Sequence, residues 1–187
     1  MRDLVETAVK IRCQNSDRKI GVFLSGGVDS SIVAALAKKY IPDLHSFSIG
    51  LEGAPDLKPA RLAAKAIGTT HTETTFTVEE GIKALRELIW HLESNDITTI
   101  RASLPMYLLS KYIAQNTDIA VILSGEGPDE VMSGYMYYHN APDSLELHND
   151  SVQRVKQLPF YDVLRCDRCT AAHGLEVRVP LLDKHIV

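Results

Sequence analysis

The chain has few cysteines, no long apolar run and no large excess of either charge. Its three cysteines, Cys13, Cys166 and Cys169, cannot all pair. A disulfide-stapled secreted scaffold is therefore excluded, and a reducing, cytosolic setting is expected. No stretch of about eighteen apolar residues occurs, and charges run throughout the opening segment, so neither a membrane span nor a cleaved secretory signal is expected. Lys and Arg number 20 against 24 Asp and Glu, a net charge of -4. That balance is too mild for a nucleic-acid-binding arm or an acidic tail. Repeats and low-complexity tracts are missing as well, which excludes collagen-like and disordered chains. What remains is 187 residues, 45% hydrophobic and 24% charged, enough for one domain with a sizeable core. The final stretch from Leu182 to Val187 carries no helix cap or turn signal, so the sequence is expected to be truncated at its C-terminus.

Leu4, Val5, Ala8 and Ile11 recur at helical spacing and predict an amphipathic helix over residues 3–12. Ile20 to Leu24 predicts a strand, and Ile32, Val33, Leu36 and Ala37 share one face of a helix from Val28 to Tyr40. The alternation continues with a strand over 44–49, a helix over 56–67, a strand over 71–76 and a helix over 79–93. Residues 104–115 read as a helix with Pro105 in its first turn. Ile119 to Leu123 is apolar on both faces, as a central parallel strand should be. A turn at 141–144 precedes helices near 150–157 and over 160–172, packed onto the sheet. Strands alternating with helices predict a doubly wound α/β fold on a parallel sheet. Ligands of such sheets sit beyond the carboxyl ends of the strands. Two loops there are informative, Ser25 to Ser31 and Ser124 to Glu130.

In the first, Leu24-Ser25-Gly26-Gly27-Val28-Asp29-Ser30-Ser31 sets two glycines and three hydroxyls between a strand and a helix. Adjacent glycines let backbone N–H groups approach a ligand, and the helix N-terminus adds partial positive charge. The loop is shaped for phosphate. It lacks the closing Gly-Lys-Ser/Thr of a Walker loop and the third glycine of the dinucleotide fingerprint. Asp29 stands where phosphate would repel it, which is reasonable if Mg²⁺ bridges the two. The full string resembles the Ser-Gly-Gly-x-Asp-Ser pyrophosphate loop of the ATP pyrophosphatases. A bare Ser-Gly-Gly could equally be a turn with a helix cap.

The second loop, Leu123-Ser124-Gly125-Glu126-Gly127-Pro128-Asp129-Glu130, crowds three carboxylates that repel one another unless cations or donors sit among them. For Glu130 a solvated helix start suffices; Glu126 and Asp129, at the same end of the sheet as Asp29, read as a metal and nucleotide site. Cys166-Asp167-Arg168-Cys169 has neither a second cysteine pair nor a histidine pair, so it reads as ordinary helix rather than zinc. His71, His91, His139 and His173 have no partner at metal spacing and read as packed or solvated side chains.

Four motifs in order then resemble the synthetase domain of the glutamine-hydrolysing asparagine synthetase family. They are Leu24 to Ser31, Asp96 to Ser103, Ser124 to Glu130, and Gly174-Leu175-Glu176-Val177-Arg178-Val179-Pro180-Leu181-Leu182-Asp183. The resemblance implies an adenine nucleotide alpha hydrolase-like sheet with helices on both faces. It implies ATP-dependent amidation of aspartate to asparagine through β-aspartyl-AMP. It places the adenine nucleotide on Leu24 and Ile49, with Ser25, Gly27, Asp29 and Ser30 on phosphates, and Ser124 and Gly125 completing the pocket. Asp29 and Asp129 would hold Mg²⁺. Glu126 and Arg101 would be catalytic, with Thr98 and Thr99 contacting substrate. Partners would be aspartate and ammonia, and neither nucleic acid nor membrane, with a homodimer or a separate glutaminase left open.

Two departures stand out. Pro128 replaces the family's small residue, and the sequence opens Met1-Arg2-Asp3 rather than with a glutaminase domain's cysteine nucleophile. The closing segment that supplies the family's phosphate-binding lysine is also missing from the sequence, which leaves a non-catalytic ATP-binding remnant as the alternative. Another pyrophosphate-loop enzyme, β-lactam-forming or tRNA-thiolating, fits the Arg101 and Glu126 motifs less well.

Overall fold

The computed structural model describes residues 1–55 and 57–187. Helix α1 (Arg2–Gln14) leads into β1 (Lys19–Phe23), α2 (Val28–Lys38), β2 (His45–Leu51), α3 (Leu57–Ile67) and β3 (Thr70–Phe76). Then follow α4 (Val78–Leu92), α5 (Ile97–Asn116), β4 (Ile119–Leu123), the short α6 (Pro128–Val131), α7 (Ser144–Gln157), α8 (Asp162–Ala171) and β5 (Glu176–Arg178). The first residue of the expected 56–67 helix, Asp56, lies outside the described residues.

The strands form one parallel sheet in the order β3-β2-β1-β4-β5. The chain winds outward from β1 through β2 to β3, then returns to the other side of β1 with β4. Helices cover both faces. Val5, Val9, Val33, Ala37 and Ala64 from α1, α2 and α3 close over Val22, Leu24 and Val121. On the opposite face Leu109 and Ile113 of α5 pack on Phe47, Ile119 and Ile122. Leu88 and Leu92 of α4 meet Tyr107 and Cys169 in a further layer.

Three elements depart from expectation. Helix α5 begins at Ile97 and contains Pro105, which was expected in the first turn of a helix starting at 104. Asp96 starts it early, because its carboxylate accepts from Thr99 N at 2.6 Å. Pro105 removes one N–H from the helix ladder, yet Ala102, Pro105 and Met106 together present a face to the cleft described below. Helix α7 begins at Ser144 because Asp143 caps it, accepting from Leu145 N and Glu146 N at 2.9 Å each. Strand β5 carries a charge at each end of only three residues and shows no strand pattern, yet it pairs along β4.

Candidate functional site

The order of the sheet makes β1 and β4 the neighbours from which the chain departs in opposite directions, and both informative loops leave their carboxyl ends. In the first, Ser25 Oγ and Ser30 Oγ are 2.9 Å apart. Gly27 N donates to Ser25 Oγ at 3.2 Å, and Ser25 N to Ser30 Oγ at 3.2 Å. Two hydroxyls and two amide N–H groups thus gather at the start of α2, where the helix end favours an anion. In the second, Ser124 N donates to Arg178 O at 2.9 Å, tying the loop to β5. A Cβ on Gly125 would lie 2.8 Å from Ser30 N and 2.9 Å from Asp29 C. Only glycine permits the two loops to touch.

A cleft of about 430 Å³ opens there. Ser25, Gly27, Asp29, Ser30, Ser124, Gly125, Glu126 and Asp129 give it a polar end, while Phe23, Leu24, Phe47, Ile49, Met106 and Leu109 give it an apolar one. Burial pushes Asp29 above the ordinary carboxylate range, and the charge of Glu130 adds to this. Asp129 is pushed up by burial and then by Asp29. Neither aspartate has an ion-pair partner, and no group of three metal-binding side chains occurs among the described residues. Two carboxylates whose ionisation is resisted by burial and by neighbouring acids fit a divalent cation completed by phosphate oxygens and water.

A second cleft of about 390 Å³ is lined by Asp96, Thr98, Thr99, Glu130, Tyr135, Tyr137, Arg154, Asp162 and Arg165, among others. Arg165 lines both clefts. Its Nη2 donates to Glu126 Oε2 at 2.7 Å and its Nη1 pairs with Asp162 Oδ1 at 2.8 Å, while its buried Nε has no partner. Burial pushes Glu126 up, and Arg165 opposes that rise. Glu130, only 4% exposed, accepts from the Tyr135 hydroxyl. Arg154 stands over the Tyr137 ring, and Tyr137 donates to Asp150 at 2.9 Å.

The residues expected on nucleotide, metal and acidic chemistry, from Leu24 to Asp129, therefore share one cleft, while Thr98 and Thr99 line the other. Arg101 lies on the exposed side of α5 and lines neither. Sequence reasoning passed over Arg165, Tyr135 and Arg154. Only the Asp162-x-x-Arg165 spacing on a helix hinted at the first of them. Burial pushes the Cys169 thiol up to about 11, and Cys166 higher still, in keeping with packed rather than reactive cysteines.

The asparagine synthase family model matches residues 1–158 and 141–187. The chain belongs to the asparagine synthase family. Glutamine-hydrolysing asparagine synthetase from Mus musculus is 52% identical over 189 residues, covering 98% of this chain and 34% of the mouse protein. Asparagine synthetase B, glutamine-hydrolysing, from Escherichia coli (strain K12) is 47% identical over 198 residues, again 98% of this chain and 35% of the relative. The chain thus spans about a third of the length of these family members. Among solved structures, U34-tRNA thiolase NcsA from Methanococcus maripaludis superposes with a TM-score of 0.56 at 16% identity, covering 99% of this chain and 61% of that one. NMN synthetase from Francisella tularensis gives 0.50 at 14% identity, covering 97% and 89%. These two share the adenine nucleotide alpha hydrolase-like fold, and at such identity the likeness is one of fold alone. The departure at Pro128 is absorbed by position, since it is the first residue of α6, where the missing N–H had no helical partner.

Proposed function

We propose that this chain is the ATP-using part of an asparagine synthetase, which adenylates the side-chain carboxylate of aspartate and passes the acyl group to ammonia. The observation that carries the reading is Arg165, held by Glu126 at the nucleotide cleft while it also lines the second cleft. Ligands in the two clefts would meet across this one group.

The apolar end of the first cleft takes adenine beside Leu24 and Ile49, and the hydroxyls and amides of Ser25, Gly27 and Ser30 take the phosphates, with Ser124 and Gly125 on the far wall. Asp29 and Asp129 would hold Mg²⁺, which when bound would neutralise phosphate charge. The second cleft suits an amino acid. Arg154 offers a cation for the α-carboxylate, Glu130 and Asp162 offer anions for the ammonium, and Thr98 and Thr99 line the same wall. The aspartate side-chain carboxylate, directed toward Arg165, attacks the α-phosphorus of ATP, and the bond to pyrophosphate breaks. The guanidinium, with its free Nε–H, stabilises charge on the phosphoryl oxygens. Ammonia then attacks the acyl carbon, Glu126 removes a proton from its nitrogen, and the bond to AMP breaks. Burial helps here, because a carboxylate whose pKa is raised is the stronger base.

Nitrogen comes from glutamine in the relatives as they are named, and the same source is assigned to the full-length protein. The three free cysteines of this chain accord with the cytosol. Aspartate-dependent exchange of labelled pyrophosphate into ATP tests the reading. Exchange supports it; ATP binding without exchange reduces the chain to a nucleotide-binding remnant.

A further inference from the structure

One short segment of chain, Arg178 to Asp183, holds the acidic loop after β4 at two places. Arg178 O accepts from Ser124 N at 2.9 Å, at the start of the loop. Leu182 packs on Gly127, so closely that a Cβ there would lie 2.3 Å from Leu182 Cδ2. Glu126 stands between these two holds, and Asp129 follows just after the second. The segment is held in turn at both of its own ends by a single residue of α1, Arg12. Its Nη1 donates to Asp183 Oδ2 at 2.9 Å, and its backbone carbonyl accepts from Arg178 Nη1 at 2.6 Å.

The ion pair is sheltered, with the Arg12 and Asp183 side chains 23% and 16% exposed. Asp183 Oδ1 also accepts from His185 N at 3.0 Å. That N–H, with the Arg12 guanidinium, holds the Asp183 carboxyl below its ordinary range, so the pair stays charged at neutral pH. Leu181 and Ile186, on either side of Asp183, are buried in one cluster with Val5, Ala8 and Val9 of α1. Apolar packing of this kind tolerates a slide along the helix, whereas Arg12 reaches Asp183 in one register only. Neither Arg12 nor Asp183 lines either cleft, and the chemistry proposed above uses neither.

We propose that Arg12 and Asp183 are positioning residues: acting only through the segment between Arg178 and Asp183, they fix the acidic loop in the register that presents Glu126 and Asp129 to nucleotide and metal. What the loop serves rests on the function proposed above. That Arg12 and Asp183 set its register does not.

The test takes the purified full-length protein and two readouts. The first is amide hydrogen exchange without ligand. Arg12→Met keeps the carbonyl that Arg178 uses and removes the ion pair. It should speed exchange of the Ser124 N–H and of residues 127–131 by about tenfold, the worth of one charged contact, while β1 and β2 keep their wild-type rates. Arg12→Lys should recover part of the protection. Asp183→Asn should match Arg12→Met, and the double variant should be no worse than either, as for two residues acting through one contact. The second readout is the Mg²⁺ concentration giving half of the thermal stabilisation by ATP, which should rise in Arg12→Met by a similar factor and fall back in Arg12→Lys. A purely structural role would speed exchange throughout β1 and β2 and leave the Mg²⁺ requirement unchanged. Unchanged exchange at Ser124 in Arg12→Met overturns the proposal, and a faster loop with an unchanged Mg²⁺ requirement overturns its role toward the metal. A wild type that responds to neither ATP nor ATP with Mg²⁺ overturns the nucleotide reading, and hydrogen exchange then decides the register on its own. Should a single variant not fold, the double variant, which leaves no charge unpaired, carries the same comparison.

Discussion

The Arg165 guanidinium bridges Glu126 and Asp162, at 2.7 Å and 2.8 Å, from a side chain only 17% exposed. Asp162 opens α8 and Arg165 lies one turn on, so the helix itself supplies the second contact, while Glu126 comes from the loop after β4. Arg165→Met leaves two carboxylates facing each other in a half-buried cleft. The expected result is a stability loss of about 3 kcal/mol, as for breaking a buried pair, together with loss of aspartate-dependent pyrophosphate exchange. Arg165→Lys restores charge but cannot reach both acids in fork geometry. It should recover most of the stability in urea unfolding and little of the exchange.

Glu126→Gln separates the two chemical steps. If Glu126 acts as the base for ammonia, the variant should still exchange pyrophosphate, because Arg165 and the phosphate loop are intact, yet asparagine formation should fall by about 10²–10⁴-fold. Normal synthesis by this variant would sink the assignment. Loss of exchange as well as synthesis would move the role of Glu126 to the adenylation step.

The sheet was legible because β1 and β4 are short apolar runs, because β1 and β2 precede helices of clear period, and because Ser-Gly-Gly and Ser-Gly-Glu-Gly sit where strands end. Residues of one loop are neighbours in sequence, so Ser25, Asp29, Ser30, Glu126 and Asp129 could be read together. The second cleft was not legible. It joins Asp96 and Thr99 at one end of α5 to Tyr135 and to Arg154 and Arg165 on two later helices, and no local pattern links residues so far apart. Helix α5 was misjudged at its start for a related reason: Pro105 signals a helix beginning only in isolation, and the Asp96 cap outweighs it. Arg101 shows the converse. A family motif named it, yet its side chain is exposed and lines neither cleft.

Gly127 should tolerate no side chain. Its φ is 101°, and an added Cβ would lie 2.3 Å from Leu182 Cδ2 and 2.4 Å from Leu182 Cγ. The Pro180-Leu181-Leu182 turn thus closes onto the acidic loop, anchored by Arg12 to Asp183 at 2.9 Å. Gly127→Ala combines left-handed strain of about 1 kcal/mol with overpacking of about 1–3 kcal/mol. Adding Leu182→Ala should relieve only the second part. A double-mutant cycle read by urea midpoints checks this, and strict additivity would contradict the contact.

Burial holds the imidazoles of His71 and His173 below the usual histidine range. The unfolded chain therefore binds protons more readily than the folded one as the pH drops through about 6.5. Their contribution to stability is present above that pH and is lost as the pH falls through the folded values. Urea midpoints measured between about pH 7.5 and pH 5.5 should decline, and His173→Gln should flatten the decline. His173 is the cleaner probe, since its ring lies tilted against Tyr107 with centroids 4.5 Å apart and its buried Nε2 has no hydrogen-bond partner.

Asp29 and Asp129 raise the sharpest question about the metal, because the charge of Asp29 itself helps hold Asp129 above the carboxylate range. Two such groups oppose each other in the absence of ligand and cooperate in its presence. Asp29→Asn should therefore leave the melting temperature of the free protein unchanged or slightly higher, because one half of a repulsive pair is gone. The same substitution should weaken the stabilisation by ATP with Mg²⁺, raising the Mg²⁺ concentration needed for half of the effect by about tenfold, the worth of one charged contact. Asp129→Asn should behave likewise. Thermal melts of the free protein, and with ATP alone, Mg²⁺ alone and both together, distinguish this from a structural role. A structural aspartate would lower the melting temperature in all four conditions, whereas a metal-holding one lowers it only when nucleotide and metal are both present.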